Sequence, residues 1–138
     1  MMIYVNGQDI ARLALGGWSG SAWLHEPQVF QVRPEQYLAT FSSWLQKIGL
    51  DKQGITGFVI VSGPGSATAL RTSHAMVNAL ALALGVEVMS LDKTEDSTDL
   101  EVASSLAGLV AKPFALPTYG RAPTITVSTH DALKRKLE

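Results

Sequence analysis

Cysteine is absent from the 138 residues of this chain. Its absence excludes disulfide frameworks, thiol nucleophiles and zinc–thiolate centres, and it fits a reducing compartment. Net charge is almost absent as well, at a formal −1 at pH 7. No overall electrostatic field therefore favours nucleic acid or a membrane surface, and any contact with tRNA is predicted to be indirect.

Long hydrophobic runs are also missing. The apolar stretch Ala75–Leu84 is far too short to span a bilayer. The first seven residues lack the basic segment and apolar run of a signal peptide. These features predict a cytoplasmic protein that does not contact a membrane. Hydrophobic residues make up 46% of the chain, which is enough for the core of one domain spanning residues 1–138.

Hydrophobic periodicity predicts alternating strands and helices. The predicted strands are Met2–Val5, Ile10–Leu15, Ala22–Leu24 with Gln28–Val32, Gly57–Ser62 and Val86–Leu91. The predicted helices are Glu35–Ile48, Ala67–Leu84, Leu100–Val110 and Ala132–Leu137. Turns are expected at Asn6-Gly7 and Gly16–Gly20, with a break near Pro27. An extended, proline-rich tail is expected over Phe114–Val127.

This order of elements predicts an α/β fold. Three antiparallel strands come first, and the later strands are joined through helices, so they should be parallel with right-handed crossovers. The expected architecture is a mixed sheet of about five strands with flanking helices. Periodicity alone predicts only a mixed α/β sandwich, but the order of elements resembles that of a single ribonuclease-H-like lobe of the actin/sugar-kinase/Hsp70 superfamily.

Two segments of the chain carry a family resemblance. The first is the loop Gly63-Pro64-Gly65-Ser66, which follows a predicted strand. The predicted helix after this loop carries Thr68 and Leu70-Arg71 near its start and Leu80–Gly85 at its end. A weaker match is Leu116–Pro123. Both segments resemble the TsaB (YeaZ-type) family of subunits in tRNA threonylcarbamoyladenosine biosynthesis.

The resemblance implies a non-catalytic role. TsaB-type subunits support a TsaD-type threonylcarbamoyltransferase by binding it through helices of the N-terminal lobe, and a TsaE-type ATPase joins them. Older labels for the superfamily mention glycoprotease activity (the M22 family), which nothing in this sequence supports. The chain is expected to be one TsaB-like N-terminal lobe with a C-terminal tail, and the second lobe is expected to be missing between Leu91 and Phe114.

The sequence also departs from the family pattern at the first strand. Family members usually place an aspartate–threonine–serine turn there, whereas this chain has Val5, Asn6 and Gly7. An acid that could hold a hydrated magnesium ion is therefore missing. With no paired histidine spacing either, we predict no metal and no cofactor.

The two long predicted helices carry more apolar residues than one stripe requires. We therefore predict that part of their surface docks the TsaD-type partner or a second copy of the chain. The predicted interface residues are Tyr37, Phe41, Trp44, Ala69, Leu70, Arg71, Ser73 and Met76.

Two alternative functions stay open. The glycine loop at a helix N-terminus, with Gly63, Gly65 and Ser66, could bind a phosphate or nucleotide, or it could be a tight structural turn capped by Ser66. The chain could also be a stand-alone homodimer that has lost its partnership.

Overall fold

A computed structural model describes residues 1–94 and 97–118. Within these ranges lies a six-stranded mixed sheet in the order β3-β2-β1-β4-β5-β6. The strands are β1 Met2–Asn6, β2 Leu13–Trp18, β3 Trp23–Phe30, β4 Gly57–Gly63, β5 Glu87–Asp92 and β6 Ala111–Lys112. The helices are α1 Tyr37–Ile48 and α2 Ala67–Leu84, with 3-10 segments at Pro34–Gln36, Lys52–Gly54 and Leu100–Gly108.

The pairing of the strands confirms the predicted fold class. Strands β1, β2 and β3 are antiparallel neighbours, whereas β1, β4 and β5 run parallel. The short strand β6 adds a sixth member to a sheet that was expected to have about five. The helix Ala132–Leu137 and the part of the predicted tail after Thr118 lie outside the described residues.

The sheet is covered on both faces, which explains its uninterrupted apolar strands. Alternate residues of β4 show this division. Phe58 and Ile60 join the core beneath α1 and α2. Val59 and Val61 pack instead with Val102 of the 3-10 segment on the opposite face.

The turn predicted at Gly16–Gly20 starts too early in the sequence, because β2 runs on to Trp18. Gly16 and Gly17 lie inside the strand. A Cβ on Gly16 would lie 3.0 Å from the Trp23 ring, and one on Gly17 would lie 2.5 Å from Met1 Sδ. Here glycine permits close packing against neighbouring side chains. The turn itself lies later, where Ser19 N donates to Ala22 O at 2.9 Å.

Three further boundaries differ from the sequence prediction. Asn6-Gly7 does not form a tight hairpin turn, because the loop runs on to Leu13 and Gly7 packs against Ser73 of α2. Strand β3 continues through Pro27, opposite a register shift in β2. The third predicted helix is a 3-10 segment that ends at Gly108.

A short extended segment beyond β6 lies against α2. Asn78 Nδ2 donates to the carbonyl oxygen of Ala115 at 2.8 Å, and the Ala115 N–H donates back to Asn78 Oδ1 at 2.9 Å. Farther along, the Thr118 N–H donates to the carbonyl oxygen of Ser62. These bonds attach residues 115–118 to α2 and to the end of β4.

Candidate functional site

The parallel strands β1, β4 and β5 all end at one edge of the sheet, and a pocket of about 510 Å³ opens there. Volumes of this order suit small-molecule ligands. The pocket is lined by Asn6, Gln8, Asp9, Arg12, Ala14, Pro27, Val29, Lys93, Ser97, Thr98, Asp99 and Leu100. Polar side chains from residues 6–12 and from residues 93–99 therefore share one cavity with an apolar wall.

Gln8 connects the loops at this edge. Its side chain is 5% exposed, and its Nε2 donates to the carbonyl oxygens of Pro64 and Lys93. Its Oε1 lies 3.5 Å from Lys93 Nζ, and its backbone oxygen accepts from the Ser66 N–H at 2.8 Å. A single amide thus holds together the connections after β1, β4 and β5.

Asp99 brings a carboxylate to the pocket from the opposite layer. Its Oδ1 accepts hydrogen bonds from Tyr4 Oη and Asn6 Nδ2, both at 2.6 Å. Burial, together with the charge of Asp99, raises the pKa of Tyr4 far above its ordinary value. The phenol therefore stays protonated and donates, which fixes the start of the 3-10 segment against β1.

The glycine loop after β4 is packed tightly against its neighbours. A Cβ on Gly63 would lie 1.8 Å from Thr118 O, and one on Gly65 would lie 2.5 Å from Gln8 O. Ser66 caps α2, because its Oγ accepts from the Ala69 N–H at 3.3 Å. These contacts favour the structural interpretation of the loop over a phosphate cradle, since the Ser66 N–H already has a protein acceptor.

The predicted docking face is corrected by the structure. Six of its eight side chains are buried in the chain's own core: Tyr37, Phe41, Trp44, Ala69, Leu70 and Ser73. They fill the space between the helices and the sheet, and the Phe41 and Phe58 ring centroids, for example, are 6.3 Å apart. Only Arg71, which is exposed, and Met76, which is half-buried, remain accessible to a partner.

His74 is a buried histidine that packs within the domain. It is 2% exposed, its Nδ1 lies 2.7 Å from Leu70 O, and its Nε2 has no hydrogen-bond partner. Burial lowers its pKa from the ordinary 6.5, against a smaller opposing effect of the Leu70 carbonyl. The described residues contain no group of three or more histidine, aspartate or glutamate side chains placed to hold a metal ion.

His74 should make stability depend on pH. Its pKa is lower in the folded chain than in the unfolded chain, so the unfolded state binds the proton more readily. We expect neutral His74 to contribute fully to the free energy of unfolding above pH 6.5. Below that pH the free energy of unfolding should fall, by no more than about 1.4 kcal/mol per pH unit for one proton. Urea unfolding from pH 7.5 to 5 would measure this slope, and a His74→Gln variant with an unchanged slope would contradict the assignment.

Neither the grouping of Gln8, Lys93 and Asp99 at one pocket nor the hydrogen-bonded pair Asn78–Ala115 was predicted from the sequence. Asn78 does leave a signal, because it is polar in the middle of an apolar helical run. Lys93 leaves a weaker one, as a basic residue directly after strand β5. Neither signal identifies the partner group, which lies far away in the sequence.

A model of the family described as TsaD: tRNA N6-adenosine threonylcarbamoyltransferase matches residues 34–126, more than half of the chain. The chain belongs to this family. This match confirms the family relationship that the resemblance of Gly63–Arg71 to the TsaB type predicted. Two solved structures confirm the predicted fold.

Two structures from Pseudomonas aeruginosa share the fold of this TsaD-family chain. YeaZ is 20% identical with a TM-score of 0.55, and the match covers 66% of this chain and 43% of YeaZ. A protein described as uncharacterised with similarity to the peptidase YEAZ is 19% identical with a TM-score of 0.55, covering 66% of this chain and 42% of that protein. The chain therefore matches less than half the length of either structure.

No curated protein matches the chain. Among the described residues, no helix is long and apolar enough to cross a bilayer.

Proposed function

We propose that this chain is a non-catalytic partner subunit that supports tRNA threonylcarbamoyladenosine formation by binding a TsaD-type threonylcarbamoyltransferase. Membership of the TsaD family supports a role in this modification. A TsaE-type ATPase would join the same assembly, and tRNA would be contacted indirectly.

The end of β1 carries the non-catalytic part of the proposal. Val5-Asn6-Gly7 stands where a family member usually has aspartate–threonine–serine, so Val5 takes the place of the acid. The Asn6 amide that follows is committed to Asp99 and to the Gln8 N–H. Asp99 itself is held by Tyr4 and Asn6. Because one oxygen of Asp99 already accepts two hydrogen bonds, this carboxylate alone is a poor start for a magnesium site, which needs several oxygen ligands.

The outer face of α2 is the surface best suited to a partner. Arg71, Ala75, Ala79 and Leu82 recur at helical spacing and are all exposed. Leu82 is 84% exposed, the highest value among the exposed large hydrophobic residues of the described chain. Small residues beside one large apolar side chain allow a partner helix to approach closely. This outer face replaces the buried residues of the sequence prediction.

Co-purification of the chain with its host's TsaD-type enzyme tests the proposal. We expect the wild-type pair to remain together, and Leu82→Glu to weaken binding at least tenfold, because a charge would be buried at the contact. Gln53→Glu is the matched control, since it adds the same charge at an exposed position outside both helices. Failure of the wild-type chain to co-purify with the enzyme would contradict the proposal.

The two alternatives give different results in the same preparations. Clear calorimetric binding of ATP and magnesium that is lost on Ser66→Ala would favour a phosphate-binding module. A dimer of the isolated chain that Leu82→Glu converts to monomers, with no enzyme bound in either case, would favour the stand-alone homodimer.

A further inference from the structure

Two charged side chains in the pocket at the ends of β1, β4 and β5 have only neutral partners among the described residues. Lys93 is 7% exposed, and its Nζ donates to Gln8 Oε1 at 3.5 Å and to Thr94 O at 3.1 Å. In the described part of the chain, Asp99 accepts hydrogen bonds from Tyr4 and Asn6 alone. Within residues 1–94 and 97–118, neither forms an ion pair with the other or with another side chain.

The remaining pair of charges at the pocket is already neutralised. Arg12 lies 3.0 Å from Asp9 at an exposed position. Among the residues of the pocket that the structure describes, one ammonium group and one carboxylate are thus left without an opposite charge. A charge this buried is usually matched by an opposite charge, because neutral acceptors replace only part of its lost hydration.

We propose that this pocket binds a free α-amino acid in its zwitterionic form. The ligand carboxylate would pair with Lys93 and the ligand ammonium with Asp99. A simple anion would be attracted by Lys93 but repelled by Asp99, and a simple cation the reverse. A ligand that carries an ammonium and a carboxylate group on the same carbon offers an opposite charge to both groups at once.

The wall of the pocket indicates the side group of the ligand. Pro27 and Val29 of β3 face the cavity together with Leu100 of the 3-10 segment. Val29 is 47% exposed and Leu100 is 50% exposed. A neutral aliphatic side group would cover this apolar surface, so the pocket selects for an uncharged, apolar amino acid.

Calorimetry with the full chain and three matched probes tests the proposal. L-Leucine carries both charges, N-acetyl-leucine only the negative one, and leucinamide only the positive one. We expect leucine to bind and each single-charge analogue to bind at least tenfold more weakly. Failure of leucine to bind, or equal binding of either analogue, would overturn the zwitterion assignment.

Variants of the chain provide the second arm. Lys93→Met and Asp99→Asn should each weaken leucine binding at least tenfold, and the asparagine retains an oxygen for Tyr4 and Asn6. Lys47→Met and Asp51→Asn make the same changes at exposed positions and should bind as the wild type does. If Lys93→Met fails to fold, Asp99→Asn and the analogues still decide, and unchanged binding by Asp99→Asn contradicts the proposal.

Discussion

Replacing Trp44 by alanine is expected to lower the free energy of unfolding by about 3–5 kcal/mol. The indole is 2% exposed and lies in the core between α1 and the sheet. Its ring also contacts His25 edge-on, with centroids 6.5 Å apart. Alanine would leave a cavity that the close-packed surroundings refill only in part. Urea or thermal unfolding of the isolated chain measures the loss.

Leu38 provides the matched control on the same helix. It is 58% exposed, so Leu38→Ala should change stability by no more than about 0.5 kcal/mol. The comparison separates the two roles considered for Trp44. A docking residue would lose partner binding with stability intact, whereas a core residue loses stability in the isolated chain. A Trp44→Ala variant as stable as Leu38→Ala would restore the docking interpretation.

The sequence predicted those elements whose signals are local. Helix α2 begins after the Ser66 cap and ends before Gly85, as predicted, because both signals act within one helical turn. Thr98 and Glu101 also have the spacing of a capping box before the segment Leu100–Gly108, and the Thr98 N–H donates to Glu101 Oε2 at 3.2 Å. The segment is nevertheless 3-10, and the capping box does not distinguish a 3-10 segment from an α-helix.

The outward face of each helix could not be read from the sequence. Tyr37 and Trp44 looked surplus because a single stripe was assumed to contact the sheet. In the fold, α1 and α2 also pack against each other. The chain at Ala115 covers another part of the same core, so more than one stripe is buried. Burial of this kind depends on contacts between distant parts of the chain.

The pocket was beyond sequence reasoning for a related reason. Gln8 bonds to Lys93, 85 positions away, and Asn6 to Asp99, 93 positions away. Only the topology of the sheet brings these residues to one edge. What the sequence did show was the departure at Val5-Asn6-Gly7. In the fold, the Asn6 side chain at the end of β1 is occupied by hydrogen bonds within the chain.

Gly63→Ala is the second change with a large expected effect, at about 2–5 kcal/mol of lost stability. The residue has φ +144°, and its missing Cβ would lie 1.8 Å from the Thr118 carbonyl oxygen. Either the backbone of β4 shifts, or the segment at Thr118 leaves its position on Ser62 and Asn78. Hydrogen exchange at Ala115 and Thr118 distinguishes these responses, because release of the segment would expose both amides.

Gly20→Ala isolates the backbone contribution to this effect. Gly20 also has a positive φ, of +103°, but nothing lies within 4 Å of where its Cβ would be. Gly20→Ala should therefore lower the free energy of unfolding only by the backbone strain, roughly 1–2 kcal/mol, and should leave hydrogen exchange at Ala115 unchanged. If Gly63→Ala cost no more than Gly20→Ala, the close approach of Thr118 would not constrain the loop, and the packing argument for a structural glycine there would fail.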